Sequence, residues 1–187
     1  MKNIKITAII CSLVLLTSIF VLPLVFADSE SVTLGFLIGT GFLCDLDSSA
    51  CPVIAMADNG DTVELTGTGT LSTHPKSVSG EGTFVHKNAD GTILATGTWT
   101  ATKLLSFHSY GSGATQGLPE ELEGGRASIL VHLNPDTGGP GFDAILEIDC
   151  TLGNKIPNGA IEGIRLNVKD ALNFNKMVSG FTVFINE

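Results

Sequence analysis

The chain has 187 residues, with 19 acidic and 10 basic side chains and a formal net charge of −9 at pH 7. An acidic surface repels phosphate backbones and anionic lipid head groups, so this composition argues against nucleic-acid partners and against binding to a membrane surface. The length is typical of one domain and is sufficient to bury a core of its own.

The first 27 residues have the composition of a secretory signal peptide. A positively charged start precedes an almost uncharged apolar run that ends in Val25-Phe26-Ala27. The residues at the last and third-last positions of this run suit cleavage by a signal peptidase. We predict a signal peptide over residues 1–27 and a secreted mature chain that begins at Asp28. Two of the 10 basic residues leave with the leader, so 8 basic and 19 acidic residues remain, with a formal charge of −11. An uncleaved membrane anchor is the alternative, since the apolar run is roughly long enough to span a bilayer.

Residues 28–60 are predicted to form an N-terminal segment with at least one short strand, over Thr33–Ile38. Cys44 and Cys51 flank a short polar loop that a disulfide would close, adding about 2 kcal/mol of stability. The third mature cysteine, Cys150, lies on an apolar strand face, where a free thiol packs like a small hydrophobic side chain. Pairing of Cys150 with either of the other two stays open at this level.

Residues 61–187 are predicted to form an antiparallel β domain. Polar and apolar residues alternate from Thr62 to Leu71, which is typical of a half-buried strand. An Asp90-Gly91 step between two alternating runs indicates a hairpin. Further strands are expected over 78–86, 92–107, 127–133, 144–152 and 161–168, with one or two more over 172–185.

Glycines occupy positions where an inward side chain is expected. These are Gly67, Gly69, Gly80, Gly82 and Gly97. Glycine within strands marks sharp coiling or close backbone approach, and barrels need such kinks to close. We therefore predict an all-β antiparallel barrel, with a β-sandwich as the alternative. The Gly-Thr-Gly-Thr pattern of the central hairpin resembles small secreted barrels of the allene oxide cyclase or dirigent type; this resemblance implies a fold and no functional residues.

Histidines are the candidate metal ligands. His86, His108 and His132 are placed on or near the ends of predicted strands and would form a copper or zinc site if the fold brought them together. No pair has a short ligand spacing, so independent surface histidines are the alternative. Acidic pairs such as Asp136 and Asp143 are weaker candidates for calcium, since none matches a calcium-loop pattern.

Aromatic residues are the candidate ligand-binding groups. Trp99, Phe84 and Tyr110 are the side chains best suited to line a cavity for an apolar ligand. Glu147 and Asp149 share one face of a predicted strand, as paired catalytic carboxylates do. Their face is opposite to the apolar one, so we expect both carboxylates to be exposed and ionised.

No catalytic motif is present in the sequence: there is no nucleophile elbow, phosphate loop, Cys-x-x-Cys or dinucleotide fingerprint. We therefore predict a secreted β-barrel binding or interaction module that encloses a small apolar ligand or contacts a protein partner, and the sequence favours such a module over an enzyme. The alternatives are a His-based metal-binding protein or enzyme, and a barrel isomerase or cyclase without a sequence motif. The oligomeric state does not follow from the sequence.

Overall fold

Antiparallel strands dominate the computed structural model, which describes residues 31–187. The predicted signal peptide and its cleavage site lie outside these described residues. Within 31–187, no helix has both the length and the apolar character that a bilayer span requires.

Eleven strands and three short helical turns follow one another along the described chain. The strands are β1 (Thr33–Ile38), β2 (Val53–Met56), β3 (Thr62–Thr73), β4 (Lys76–Lys87), β5 (Ile93–Ser112), β6 (Leu122–Pro135), β7 (Phe142–Cys150), β8 (Gly163–Val168), β9 (Asn173–Phe174), β10 (Lys176–Ser179) and β11 (Thr182–Asn186). The helix α1 (Phe42–Leu46) precedes a 3-10 turn at Ser48–Ala50, and a second 3-10 turn covers Gly113–Gln116. The all-β, antiparallel prediction is confirmed.

The central hairpins follow the predicted alternation. β3 and β4 pair along their whole length, from Thr62 opposite Lys87 to Thr73 opposite Lys76. The Asp90-Gly91 step forms the turn to β5, where Asn88 Oδ1 accepts hydrogen bonds from backbone N–H groups and Gly91 has a φ of 83°. This left-handed backbone conformation favours glycine, which is why an Asp-Gly step indicates a turn at this position.

Six of the strands are hydrogen-bonded in a ring that begins and ends at β3. β3 pairs with β4, β4 with β5, β5 with β6, β6 with β11, β11 with β1, and β1 again with β3. β6 also pairs with β7, which continues the sheet through β8 and β9, and β3 also pairs with β2, which carries β10. β1 and β11 are therefore the strands that link the β3 side of the sheet to the β6 side.

The strand glycines allow aromatic rings and neighbouring backbone to approach closely. A methyl group built on Gly80 would lie 2.8 Å from the Phe36 ring, and one on Gly97 would lie 2.7 Å from the Phe84 ring. Methyl groups on Gly67 and Gly82 would collide with the indole of Trp99, which is fully buried. The space left by these missing side chains is thus filled by rings that the core contributes itself.

Candidate functional site

An apolar pocket of about 390 Å³ opens where the ends of several strands meet α1. Its walls come from α1, from the segment leading into β6, from the end of β7 and the two residues after it, from the residue before β8 and from the start of β11. The lining residues are Phe42, Leu43, Leu46, Leu118, Leu122, Cys150, Thr151, Leu152, Glu162, Phe181, Thr182 and Val183. Apolar side chains predominate, with a few polar atoms at one side, which is the usual composition of a small-molecule site.

Covalent and backbone bonds hold α1 over the strand ends. The predicted disulfide between Cys44 and Cys51 is confirmed, with a Cα–Cα distance of 5.5 Å. The Phe181 N–H donates to the carbonyl of Ala50, and the Phe181 carbonyl accepts from the Gly39 N–H, both at 3.0 Å. The loop before β11 is therefore tied to both sides of α1, and Phe181 is fixed as part of the pocket wall.

The mouth of the pocket exposes large apolar side chains. Leu46 is 75% exposed, and Phe42, Leu118 and Phe181 are each about two-fifths exposed. Scattered single apolar residues on a surface are ordinary, but four that converge on one cavity are typical of a binding site.

Glu162 is the single charged side chain among the lining residues. One carboxylate oxygen accepts bonds from the backbone N–H and hydroxyl of Thr151, at 2.7 and 3.2 Å. The other accepts bonds from the backbone N–H and hydroxyl of Thr182, at 2.7 and 2.9 Å. Partial burial raises the pKa of Glu162 above its ordinary value of 4.5, although these four bonds act in the opposite direction. The carboxylate thus joins the end of β7 to the start of β11.

Cys150 contributes a buried free thiol to the inner wall. Burial, followed by the nearby charge of Glu162, raises the pKa of this thiol well above its usual range. A thiol that stays protonated is a poor nucleophile, so the predicted packing role of Cys150 agrees with its surroundings.

The three predicted ligand-binding aromatics lie away from this pocket. Trp99, Phe84 and Tyr110 are all buried, and none of them is among the lining residues. The Trp99 indole N–H donates to the carbonyl of Thr66 at 2.9 Å, so its polar atom is already engaged in the core. A further cavity of about 450 Å³ opens beside Gly69 and Gly80, where β4 and β5 are no longer paired, but its other walls are largely polar.

The expectation that Asp149 is exposed was wrong. Asp149 is fully buried and accepts hydrogen bonds from Arg126 Nε at 2.9 Å, from Arg126 Nη2, and from the Tyr110 hydroxyl at 3.1 Å. Glu147 is partly buried and forms ion pairs with Arg126 and Arg165. Strand parity identified the face correctly, but it could not show that arginines from β6 and β8 and a tyrosine from β5 cover that face.

Burial, and next the charge of Asp149, raise the pKa of Tyr110 to about 12. Asp149, Glu147, Arg126, Arg165 and Tyr110 form one cluster in which each side chain has a partner. Neither of the two cavities described above is lined by any of these residues. The cluster therefore joins β5, β6, β7 and β8 as a structural network.

The structure does not bring the three candidate histidines together. His86 lies 3.2 Å from Asp61, His132 lies 2.9 Å from Asp143, and His108 packs edge-on against Tyr110. His132 on β6 is paired with Thr100 on β5. His108 lies eight residues beyond Thr100 on β5, so the two histidines are about 25 Å apart along the strands. Within residues 31–187, no three His, Cys, Asp or Glu side chains form a group that could hold a metal ion, including the acidic pairs considered for calcium.

No protein-family model matches this chain, and neither does any curated protein or solved structure.

Sequence reasoning missed the four exposed apolar residues at the pocket mouth because none of them lies within a strand. Phe42 and Leu46 belong to the short helix α1, Leu118 lies in the segment before β6, and Phe181 directly precedes β11. The one available signal was the presence of large apolar residues outside the strands, and a single such residue carries little information.

Proposed function

We propose that this protein is an exported β-barrel binding module that carries a small apolar ligand in the pocket between α1, β7 and β11. The observation that carries the proposal is the apolar pocket itself, with four large apolar side chains exposed at its mouth.

Export is supported by the charged and apolar composition of residues 1–27 and by the Cys44–Cys51 disulfide. Disulfides persist in oxidising compartments and are rare in the cytosol. The composition of residues 1–27 and the Cys44–Cys51 disulfide are independent features, and both favour export.

A closed barrel is supported by strand pairing that runs from β3 through β4, β5, β6, β11 and β1 back to β3. A filled interior is supported by buried rings such as Trp99 and Phe36, which lie against the strand glycines. We therefore assign the ligand to the pocket at the strand ends and not to the centre of the barrel.

The size of the pocket suits a small organic molecule. An apolar cavity of about 150 Å³ accommodates benzene, so 390 Å³ suits a ligand roughly two and a half times as large. Burial of such a ligand against leucine and phenylalanine side chains would supply the main free energy of binding.

Binding can be measured with N-phenylnaphthylamine, an apolar dye whose emission rises in apolar sites. We expect the dye to bind the native protein, and the double variant Leu46→Gln/Leu118→Gln to weaken its Kd by about tenfold, because removal of apolar contact area costs on the order of 1–2 kcal/mol. Both positions are exposed, so the free energy of unfolding should change little.

The matched control is Leu94→Gln, at a residue that is also half-exposed but does not line the pocket. This variant should bind the dye like the wild type. Absence of dye binding to the wild-type protein, or equal losses in Leu94→Gln and the double variant, would contradict the proposal. Native mass spectrometry of the purified protein would identify a ligand that is retained during purification.

A further inference from the structure

The charges around the pocket indicate which class of apolar ligand it selects. Glu162 is the single charged lining residue, and among residues 31–187 no lysine, arginine or histidine lines the pocket. A ligand head group near this wall therefore meets a carboxyl and no cation.

The two exposed edges of the pocket are acidic as well. Asp45 and Asp47 flank Leu46 on one edge, and Glu120 and Glu121 lie between Leu118 and Leu122 on the other. All four carboxylates are exposed, and none of them forms an ion pair within the described residues. Adjacent Cα atoms are about 3.8 Å apart, so each edge carries negative charge close to a lining residue.

These carboxylates are available to attract a cation. The backbone N–H and hydroxyl of Ser49 both donate to Asp47 at 2.8 Å, which lowers the pKa of Asp47 and keeps it ionised. By contrast, the buried Asp149 is already neutralised by Arg126. In the described part of the chain, the carboxylates beside the lining residues of both edges therefore have no ion-pair partner.

We propose that the pocket selects cationic amphiphiles, with the apolar body of the ligand inside the pocket and a protonated amine at its acidic mouth. This inference rests on the proposed function and adds the charge of the ligand to it. Like charges close to a site of low polarity exclude an anionic head group, whereas a cationic one is attracted.

The test compares three probes with the same alkyl chain and different heads: decylamine, decanol and decanoate, each below its aggregation concentration. Their Kd values are measured by displacement of N-phenylnaphthylamine. We expect decylamine to bind at least about tenfold more tightly than decanoate, with decanol in between, and the difference to shrink as salt is added, because salt screens exposed charges.

A rim variant, Asp45→Asn/Glu120→Gln, should reduce the preference for decylamine over decanoate by about threefold or more and leave the Kd of decanol unchanged. Its matched control is Asp58→Asn/Asp90→Asn, which removes two exposed carboxylates from turns that contribute no lining residue. That control should keep the full preference.

The outcomes separate the two proposals. If all three probes bind with the same Kd, or if decanoate binds most tightly, the charge selection is overturned while the apolar pocket stands. Retention of the full preference in the rim variant also overturns the charge selection. If no probe binds the wild-type protein, both proposals fail.

Discussion

Tyr110 is the only tyrosine of the chain, and its hydroxyl donates to a buried carboxylate. Ionisation of the phenol would place a second negative charge beside Asp149 in a site with little water. Burial and this neighbour raise the pKa of Tyr110 from 10.0 to about 12.

Absorbance of the tyrosinate ion tests this interpretation at the residue scale. We expect native protein to titrate with a midpoint of about 12, and protein unfolded in denaturant to titrate near the ordinary value of 10.0. Because the folded-state pKa is the higher one, protonated Tyr110 stabilises the fold fully below pH 10, and this contribution is lost as the pH rises through about 12.

Circular dichroism recorded in the same titration is the control for alkaline unfolding. If unfolding occurs first, ionisation should coincide with it. A native midpoint near 10 with the fold intact would show that the Tyr110–Asp149 contact does not form.

At the scale of single elements, the glycines in β3, β4 and β5 determine how closely the strands and rings pack. A methyl group on Gly82 would overlap the Thr66 carbonyl and lie 2.6 Å from both Gly67 Cα and Trp99 Nε1. All three neighbours are backbone or ring atoms rather than the ends of flexible side chains, so relief of the overlap would require the strands or the indole to shift.

We expect Gly82→Ala to lower the free energy of unfolding by about 3 kcal/mol, the upper part of the usual cost of overpacking. Denaturant unfolding followed by the fluorescence of Trp99, the only tryptophan, measures both the stability and the local packing.

Gly35→Ala in β1 is the matched control, since its methyl group would meet nothing closer than 3.5 Å. That change should leave the stability the same or raise it by up to about 1 kcal/mol, because alanine restricts the unfolded chain. Equal stability of the two variants would mean that the close packing over Gly82 is absent.

At the scale of the whole molecule, closure of the sheet depends on the short contact between β6 and β11. The pairing there is limited to Glu123 opposite Phe184 and Leu122 opposite Ile185. Asn186 extends it slightly, with its N–H donating to the Glu121 carbonyl at 2.9 Å. The β5–β6 pairing, by comparison, extends from Gly97 to Ser112.

Native-state hydrogen exchange tests this closure. We expect backbone amides at the β6–β11 seam to be protected, but to exchange faster than those in the middle of the β3–β4 hairpin, because short pairings open at lower free energy. Seam amides that exchange as fast as those of an unfolded peptide would show that the sheet is open between β6 and β11 and that the barrel proposal is wrong.

Several elements could be predicted from short stretches of sequence because their causes are local. Alternation in β3 reflects the two faces of one strand, the turn at Gly91 reflects a backbone conformation that glycine favours, and Cys44 and Cys51 are close enough in the chain to pair. In each case the interacting groups are within a few residues of one another.

Burial of Asp149 could not be predicted in the same way. Its three partner atoms come from Arg126 and Tyr110, which are distant in the chain and become neighbours only when β5, β6 and β7 pair in register. Alternation along β7 identifies the face on which Asp149 lies, but not what covers that face.

By itself, the sequence determined the all-β class, the main hairpins and the positions of the unusual strand glycines, because backbone preferences and short-range pairing act over a few residues. It favoured the Cys44–Cys51 disulfide, and the structure decided that Cys150 stays free. Tertiary structure alone decided that rings fill the space beside those glycines, that the histidines stay apart, and that α1, Leu118 and the ends of β7 and β11 enclose a pocket. The reason is physical: a pocket is the space between surfaces, and five segments that are well separated in the chain contribute its walls. No local pattern in any one of those segments specifies the others.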